Sequence, residues 1–458
     1  MSSLFPPGAA RPRPRCVCPN RCCQWFLLAV AALAVGIAEP VPAQTPSPLL
    51  TFQAALDAAL ARSETLKAQD SATRAARAKA VAAGRLPDPV LRLSVDNLPV
   101  EGPMRYSLTD DFMTMRSVSV AQSFVDADKR GARSARYERE ADAFLSMRSL
   151  QQTRLLIQTA RSWLDRHFQE RSIALLERQR MQADQIGEAM ASAYRAGRSS
   201  QADVLAAHTA VARIDDQLHE ARAALDNARD RLQRWIGESA LNPMGNPPAF
   251  DHTRMAERPL NILIDQHPDI ALIEARERLA LADAQIARQD RHADWSWSLM
   301  YSKRGSQFGD MVSLGVSVPL QWDRPRKQDR ELAARLDQVE QARSERVEAR
   351  RERLFEAQRL LTSWRGNLAR LGDYDQTLIS LASERVRATE VAFQAGDASL
   401  VAALEARRQV TDTLLERLRI EQQTAAWWAE LEFLIPNLPE PSTTELNPLT
   451  PSTLEVNP

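Results

Sequence analysis

From Ala132 to Ile186 the chain runs without a single Gly or Pro, and it does so again from Arg326 to Arg365. Gly weakens a helix through backbone entropy and Pro through its missing N–H, so their absence over such lengths predicts unusually long helices. With adjoining segments each helix would reach about 65 residues, on the order of 100 Å at 1.5 Å per residue. Composition points the same way. Gly numbers only 15 in 458 residues, and charged residues make up 26%. Long solvated helices with a narrow apolar seam have this profile; a rounded core does not. The formal net charge is zero, which leaves no basic footprint for nucleic acid.

The seam is legible. Val204, Val211, Leu218, Leu225 and Leu232 recur at an interval of seven, with Ile214, Ala221, Ala228 and Trp235 in the second core position. Val347, Leu354, Leu361 and Leu368 repeat the pattern, joined by Ala357, Trp364 and Leu371. A heptad repeat of this kind predicts coiled-coil pairing. After Gly396 the spacing of Val410, Leu414 and Leu418 is less regular.

The chain is also duplicated. Ala193-Tyr194-Arg195-Ala196-Gly197 returns as Ala392-Phe393-Gln394-Ala395-Gly396, with Ser200 matched by Ser399 and Leu205 by Leu404. Upstream of each copy lie a helical segment and two segments that alternate with period two. Leu91, Leu93 and Val95 alternate with Arg92, Ser94 and Asp96, and Val118, Val120 and Phe124 with Ser117, Ser119 and Ser123. In the second half Trp295, Trp297, Leu299 and Tyr301 alternate with Ser296, Ser298 and Ser302. The run from Val312 through Leu314, Val316, Val318 and Leu320 to Trp322 does so against Ser313, Gly315, Ser317 and Gln321. Period two predicts strands with one apolar and one polar face. A soluble hairpin resting on a core is the ordinary origin of such strands. Here the polar face is Ser and Gly, small groups suited to a wet lumen, and the helices lack the broad apolar face needed to cover a sheet. Tryptophans at the run ends suit the aromatic girdle of a membrane barrel. Four strands cannot close alone, and lipid tolerates no open edge. Three chains would supply twelve, hence the expected homotrimer.

The expected organisation is a signal peptide at 1–43, repeat 1 at 44–236, a linker at 237–260, repeat 2 at 261–436 and a disordered tail at 437–458. Arg11, Arg13, Arg15 and Arg21 precede an apolar run from Trp25 to Ala38, and Val41-Pro42-Ala43 offers a small-residue cleavage site. Cys16, Cys18, Cys22 and Cys23 all lie before that run. They would leave with the leader, and the mature chain would have no thiol chemistry.

Taken together, the order of signal, helix, two strands and long hairpin, repeated once, resembles the TolC-like outer-membrane efflux family from about Leu50 to Pro436. The resemblance implies a mainly α chain with a transmembrane β-barrel portion. Three copies would form a twelve-stranded barrel continuing into a long helical periplasmic tunnel. It implies hairpin tips that dock a periplasmic adaptor, at Arg195, Ala196, Gly197, Arg198, Ser199 and Ser200 and at Gln394, Ala395, Gly396, Asp397, Ala398 and Ser399. It implies an inner-membrane pump of the RND type as a second partner, outer-membrane lipid around the barrel, and no cofactor. Asp203 and Glu405 match acidic positions with which that family closes its periplasmic mouth; an ordinary solvated helix face explains them equally. The second-tip equivalent of Asp203 is Ala402, and Ala398 stands where relatives carry a basic residue.

A narrower likeness concerns cargo. Leu86-Pro87-Asp88-Pro89, Asp96-Asn97-Leu98-Pro99 and Asp111-Phe112-Met113-Thr114-Met115-Arg116 resemble the heavy-metal branch of the family. Met104, Met113 and Met115 could make a soft patch, but methionines more often fill loops. His167, His208, His219, His252, His267 and His292 are scattered, so no metal site is expected. No phosphate loop, dinucleotide fingerprint, zinc-protease pair or serine elbow occurs, so no enzyme is expected. Two other readings stand beside the metal exporter: the same architecture serving drugs or secreted protein, and a periplasmic coiled-coil scaffold.

Overall fold

Two helical hairpins of great length and one small sheet make up the structure, a computed structural model that describes residues 49–435. The signal-peptide, cysteine and tail expectations lie outside the described residues. In each half the order is the same. Helices α1 (Phe52–Arg62) and α2 (Glu64–Ala83) lead to strands β1 (Val90–Asp96) and β2 (Met115–Phe124), then to α3 (Ala127–Arg195) and α4 (Gln201–Ile236). Short α5 (Leu260–Leu263) and α6 (Pro268–Gln289) lead to β3 (Trp295–Lys303) and β4 (Met311–Ser317). Helix α7 (Gln328–Asp373) follows, with a π-helical turn at Tyr374–Leu378, α8 (Ile379–Ala395) and α9 (Leu400–Glu432).

Helix α3 is 69 residues long, roughly 100 Å at the usual rise. Its start is set by Asp126, whose side chain accepts from the amide of Asp128. Against it lies α4, whose buried positions Ile214, Leu218, Ala221, Leu225, Ala228 and Leu232 step by four and three. That spacing keeps one stripe facing the partner helix, and its small residues let the backbones approach. Further along the second hairpin the seam is less covered. Leu361, Trp364 and Leu371 are buried, but Val347 is 47% exposed.

The main core sits midway along the helices, where the N-terminal segment and the linker wrap them. Trp163 of α3, Trp364 of α7 and Trp428 of α9 each donate an indole N–H to a backbone carbonyl there: Leu50 at 3.3 Å, Phe250 at 3.0 Å and His252 at 2.9 Å. Each ring fills the core while its one polar atom is satisfied. Arg166, 3% exposed, adds the carbonyls of Ala240 and of Asn242 (2.9 Å).

The four strands form one antiparallel sheet in the order β1-β2-β3-β4. Strand β4 ends at Ser317, although alternation continues to Trp322. Pro319 has no N–H to give a ladder, which ends the strand early.

Candidate functional site

The sheet is turned inside out relative to a soluble protein. Register places Leu93, Val118, Tyr301 and Val312 side by side, and next to them Leu91, Val120, Leu299 and Leu314. These apolar rows are bare: Leu93 is 71% and Leu314 74% exposed, whereas Ser117 and Ser302 on the other face are 4% and 1% exposed. The two hydroxyls share a hydrogen bond of 2.9 Å, and Ser117 donates to Asp96 at 2.7 Å. Gly315 sits so close to Ser298 that an added Cβ would lie 2.9 Å from its hydroxyl. Gly315 thus leaves room for that hydroxyl, although Arg92 and Met300 lie on the same face in the row of Ser119 and Ser313. At the helix end of the apolar face Phe124 and Trp295 stack with centroids 4.6 Å apart. Among the described residues no helix is long and apolar enough to cross a membrane. On the strands the exposed apolar residues form continuous rows.

Both hairpin tips reverse by the same device. Gly197 and Gly396 adopt φ of +69° and +88°, a left-handed conformation in which a Cβ is strained. Beyond each glycine an amide reaches back over the helix end: Arg198 N–H to Ala193 at 2.9 Å, Asp397 N–H to Ala392 at 2.8 Å. These are Schellman bonds that satisfy the last carbonyls. The next helix is then capped by a serine, Ser200 for α4 and Ser199 for neither; in the second tip Ser399 caps α9. Arg195, Ala196, Arg198, Ser199 and Ser200 thus surround one turn, and Gln394, Ala395, Asp397, Ala398 and Ser399 the other.

The two acidic residues near the tips differ. Asp203 closes a capping box on Ser200, accepting its amide at 3.0 Å and its hydroxyl at 2.7 Å. Those bonds hold its carboxyl below the ordinary carboxylate range. Glu405 pairs with Arg408 at 2.7 Å and lines a cleft of about 380 Å³ between α3, α4 and α9, with Arg213 and Asp412. The structure does not bring Asp203 and Glu405 into one cluster within this chain. Among the described residues no group of three or more His, Cys, Asp or Glu converges on one point. Met104 and Met113 are exposed in the β1–β2 loop, and Met115 opens β2.

Sequence reasoning missed three features. Lys129 is buried at the start of α3, bonded to the His292 carbonyl at 2.9 Å and paired with Asp294 at 3.0 Å. The π-helical turn at Tyr374–Leu378 interrupts the second long helix, and Arg417 of α9 grips Asp375 there. His267 caps α6, its Nδ1 accepting from the Asp269 amide at 3.1 Å. A Pro directly after His267 was the one local sign of that cap.

Residues 55–238 match the family described as outer membrane efflux protein. That family is one of non-enzymatic transport proteins. Solved structures share the fold. The outer membrane protein VceC of Vibrio cholerae is 15% identical with a TM-score of 0.69, over 84% of this chain and 96% of that one. The CusC transmembrane channel is likewise 15% identical with a TM-score of 0.69, over 84% and 91%. The CmeC outer membrane channel of Campylobacter jejuni is 12% identical with a TM-score of 0.65, over 84% and 85%. No curated protein sequence matches the chain.

Proposed function

We propose that the chain is one subunit of an outer-membrane efflux channel in a Gram-negative cell, three copies of which complete a twelve-stranded barrel over a helical periplasmic conduit. One observation carries this: the sheet exposes its leucines and valines on one face, buries Ser117 and Ser302 on the other, and leaves β1 and β4 as open edges. In water such a sheet would aggregate through its edges. In lipid the same face is stable once the edges pair between copies, and the Ser-lined side becomes the aqueous passage. The match to the outer membrane efflux family and the likeness to channel folds support it.

With no catalytic chemistry of its own, the channel would draw on an inner-membrane RND pump through a periplasmic adaptor docked at the two glycine turns. Heavy-metal cations are the proposed cargo, supported by the Leu86–Pro89 and Asp111–Arg116 segments that resemble the metal branch. Glu405, and Asp203 beyond its capping role, are proposed to line the periplasmic mouth. If three copies of Glu405 converge on an axis, their mutual repulsion would attract a cation or retain a proton.

Membrane fractionation tests the architecture: a heat-modifiable trimer in the outer membrane is expected, and a detergent-free soluble monomer would overturn it. Deleting the gene and measuring growth on zinc, cobalt, cadmium, copper and hydrophobic drugs tests the cargo. Loss of drug tolerance with unchanged metal tolerance would favour the drug-efflux alternative.

A further inference from the structure

At the loop end of the apolar face two cations stand directly opposite each other. The register pairs Arg116 of β2 with Lys303 of β3, on the same face as Val118 and Tyr301 because each lies two residues further along its strand. Like charges in directly opposed positions are destabilising unless an anion lies between them. The adjoining loop residue Arg304 is a third cation at this end of the sheet, and its backbone carbonyl accepts from the Arg116 side chain at 3.4 Å.

None of the three has a carboxylate partner among the described residues. Arg116 has only that carbonyl, and its Nε is buried without an acceptor. Arg304 bonds the carbonyls of Phe112 (3.2 Å) and Gly309 (3.5 Å) and lies over the Phe308 ring. Lys303 is exposed and bonds to nothing. Elsewhere the contrast is sharp: Arg136, Arg180, Arg353 and Arg417 each hold carboxylates. The acids at this end of the sheet are turned to other work. Asp96 accepts from Ser117 on the opposite face, Asp110 from Ser107 at 2.9 Å, Asp111 from the Met113 amide at 2.8 Å, and Asp310 from the Tyr301 hydroxyl. Glu101 in the β1–β2 loop reaches none of the three cations.

Position selects the anion. Lys303 and Trp295 are the two ends of β3, roughly 27 Å apart along the strand at the usual rise. Tilted by about 35–45°, that length spans roughly 19–22 Å of a barrel's apolar band of about 25 Å. The cations therefore sit at the rim opposite the Phe124–Trp295 stack, where an apolar surface meets lipid headgroups. We infer that Arg116, Lys303 and Arg304 form a docking surface for the phosphate of an anionic lipid in the leaflet that the loops enter. The inference rests on the barrel reading above. Acyl chains would lie against Val118, Tyr301 and Val312 while the phosphate enters between the opposed cations and relieves their repulsion.

The test reconstitutes the purified full chain into vesicles of phosphatidylcholine alone or with phosphatidylglycerol. Lipid retained after detergent extraction is then measured for wild type, Lys303→Gln and Arg116→Gln/Lys303→Gln. Lys303→Gln breaks no bond within the chain, so misfolding cannot mimic the effect. Enrichment of phosphatidylglycerol is expected, falling about fivefold for each cation removed. Enrichment should also survive millimolar inorganic phosphate. Equal retention by wild type and the double variant, in chains that insert normally, would overturn the docking surface and leave the barrel intact. Displacement by inorganic phosphate would show a small-anion site instead and overturn it too. Failure to insert into either lipid would overturn the barrel reading and this surface with it.

Discussion

Arg417 on α9 holds Asp375 with two bonds, Nε to Oδ1 at 2.5 Å and Nη2 to Oδ2 at 2.9 Å. Asp375 is the second residue of the π-helical turn that separates α7 from α8. Past that turn the packing changes. Helix α8 has no buried residue, and Leu381 and Val391 are 58% and 66% exposed. Its ties to α9 are polar, Arg407 to Glu390 at 2.7 Å and Arg385 to Gln409. A cleft of about 550 Å³ separates it from α3. A π-turn is a usual place for a helix to bend, and few apolar contacts mean low local stability.

Asp375→Asn should therefore loosen α8 without unfolding the core, because Arg417 keeps its pair with Glu421 at 2.6 Å. Amide exchange over residues 374–395 is expected to speed up about two- to fivefold, the range for a partly exposed ion pair. Exchange in α1, which packs on Trp163, should not change. Uniform acceleration along the whole chain would contradict the latch. The pair is also acid-sensitive, since the bond from Arg417 holds the Asp375 carboxyl below the ordinary carboxylate range. Its contribution is present above the ordinary carboxylate pKa and is lost as pH falls through the depressed value.

His267 gives a second pH dependence, in a different window. It is 5% exposed, and burial, helped by the nearby Arg353, pushes its pKa down to about 4. An unfolded chain takes up the proton near 6.5 while the folded one refuses it until about 4. Stability should thus fall as pH drops from 6.5 toward 4, by up to about 3 kcal/mol. His267→Asn preserves a capping acceptor and should flatten this part of a denaturant-midpoint profile. An unchanged profile would show that His267 is not the group responsible.

On the sheet, Leu314→Arg places a charge on the bare apolar face and should destabilise the inserted state by about 2–4 kcal/mol. Ser313→Asn on the neighbouring position faces the other way and should cost little. Folding titrations into vesicles would read both. Equal effects would mean that the two faces are not distinguished by lipid.

At the tips, Gly396→Val forces a branched side chain into φ of +88°, a strain of roughly 1–2 kcal/mol. Crosslinking to a periplasmic adaptor should disappear while the oligomer persists. Glu405→Gln removes a charge without disturbing a cap, and should raise single-channel conductance or weaken cation preference in planar bilayers. An unchanged channel would remove Glu405 from the mouth.

Much of this molecule was legible from local pattern. The absence of Gly and Pro marked the body of α3, which runs on through Gly131 and Gly187, the three-four spacing set the buried stripe of α4, and period two marked all four strands. Each of these is a property of residues a few positions apart, which is why sequence carries it. The glycines of the tips belong to the same class, since the left-handed turn is decided by the residue that must adopt it.

Tertiary structure decided the rest. The cradling of Trp163, Trp364 and Trp428 depends on carbonyls more than a hundred residues away in the chain, and so does the burial of Lys129 against Asp294. The opposition of Arg116 and Lys303 exists only once β2 and β3 take their register. The π-turn follows no composition signal that we can name. Alternation told that the sheet had two faces. Only the folded chain showed which residue of one strand lies beside which of the next, because the register of β2 on β3 joins segments far apart in the chain, and no run of neighbours encodes it.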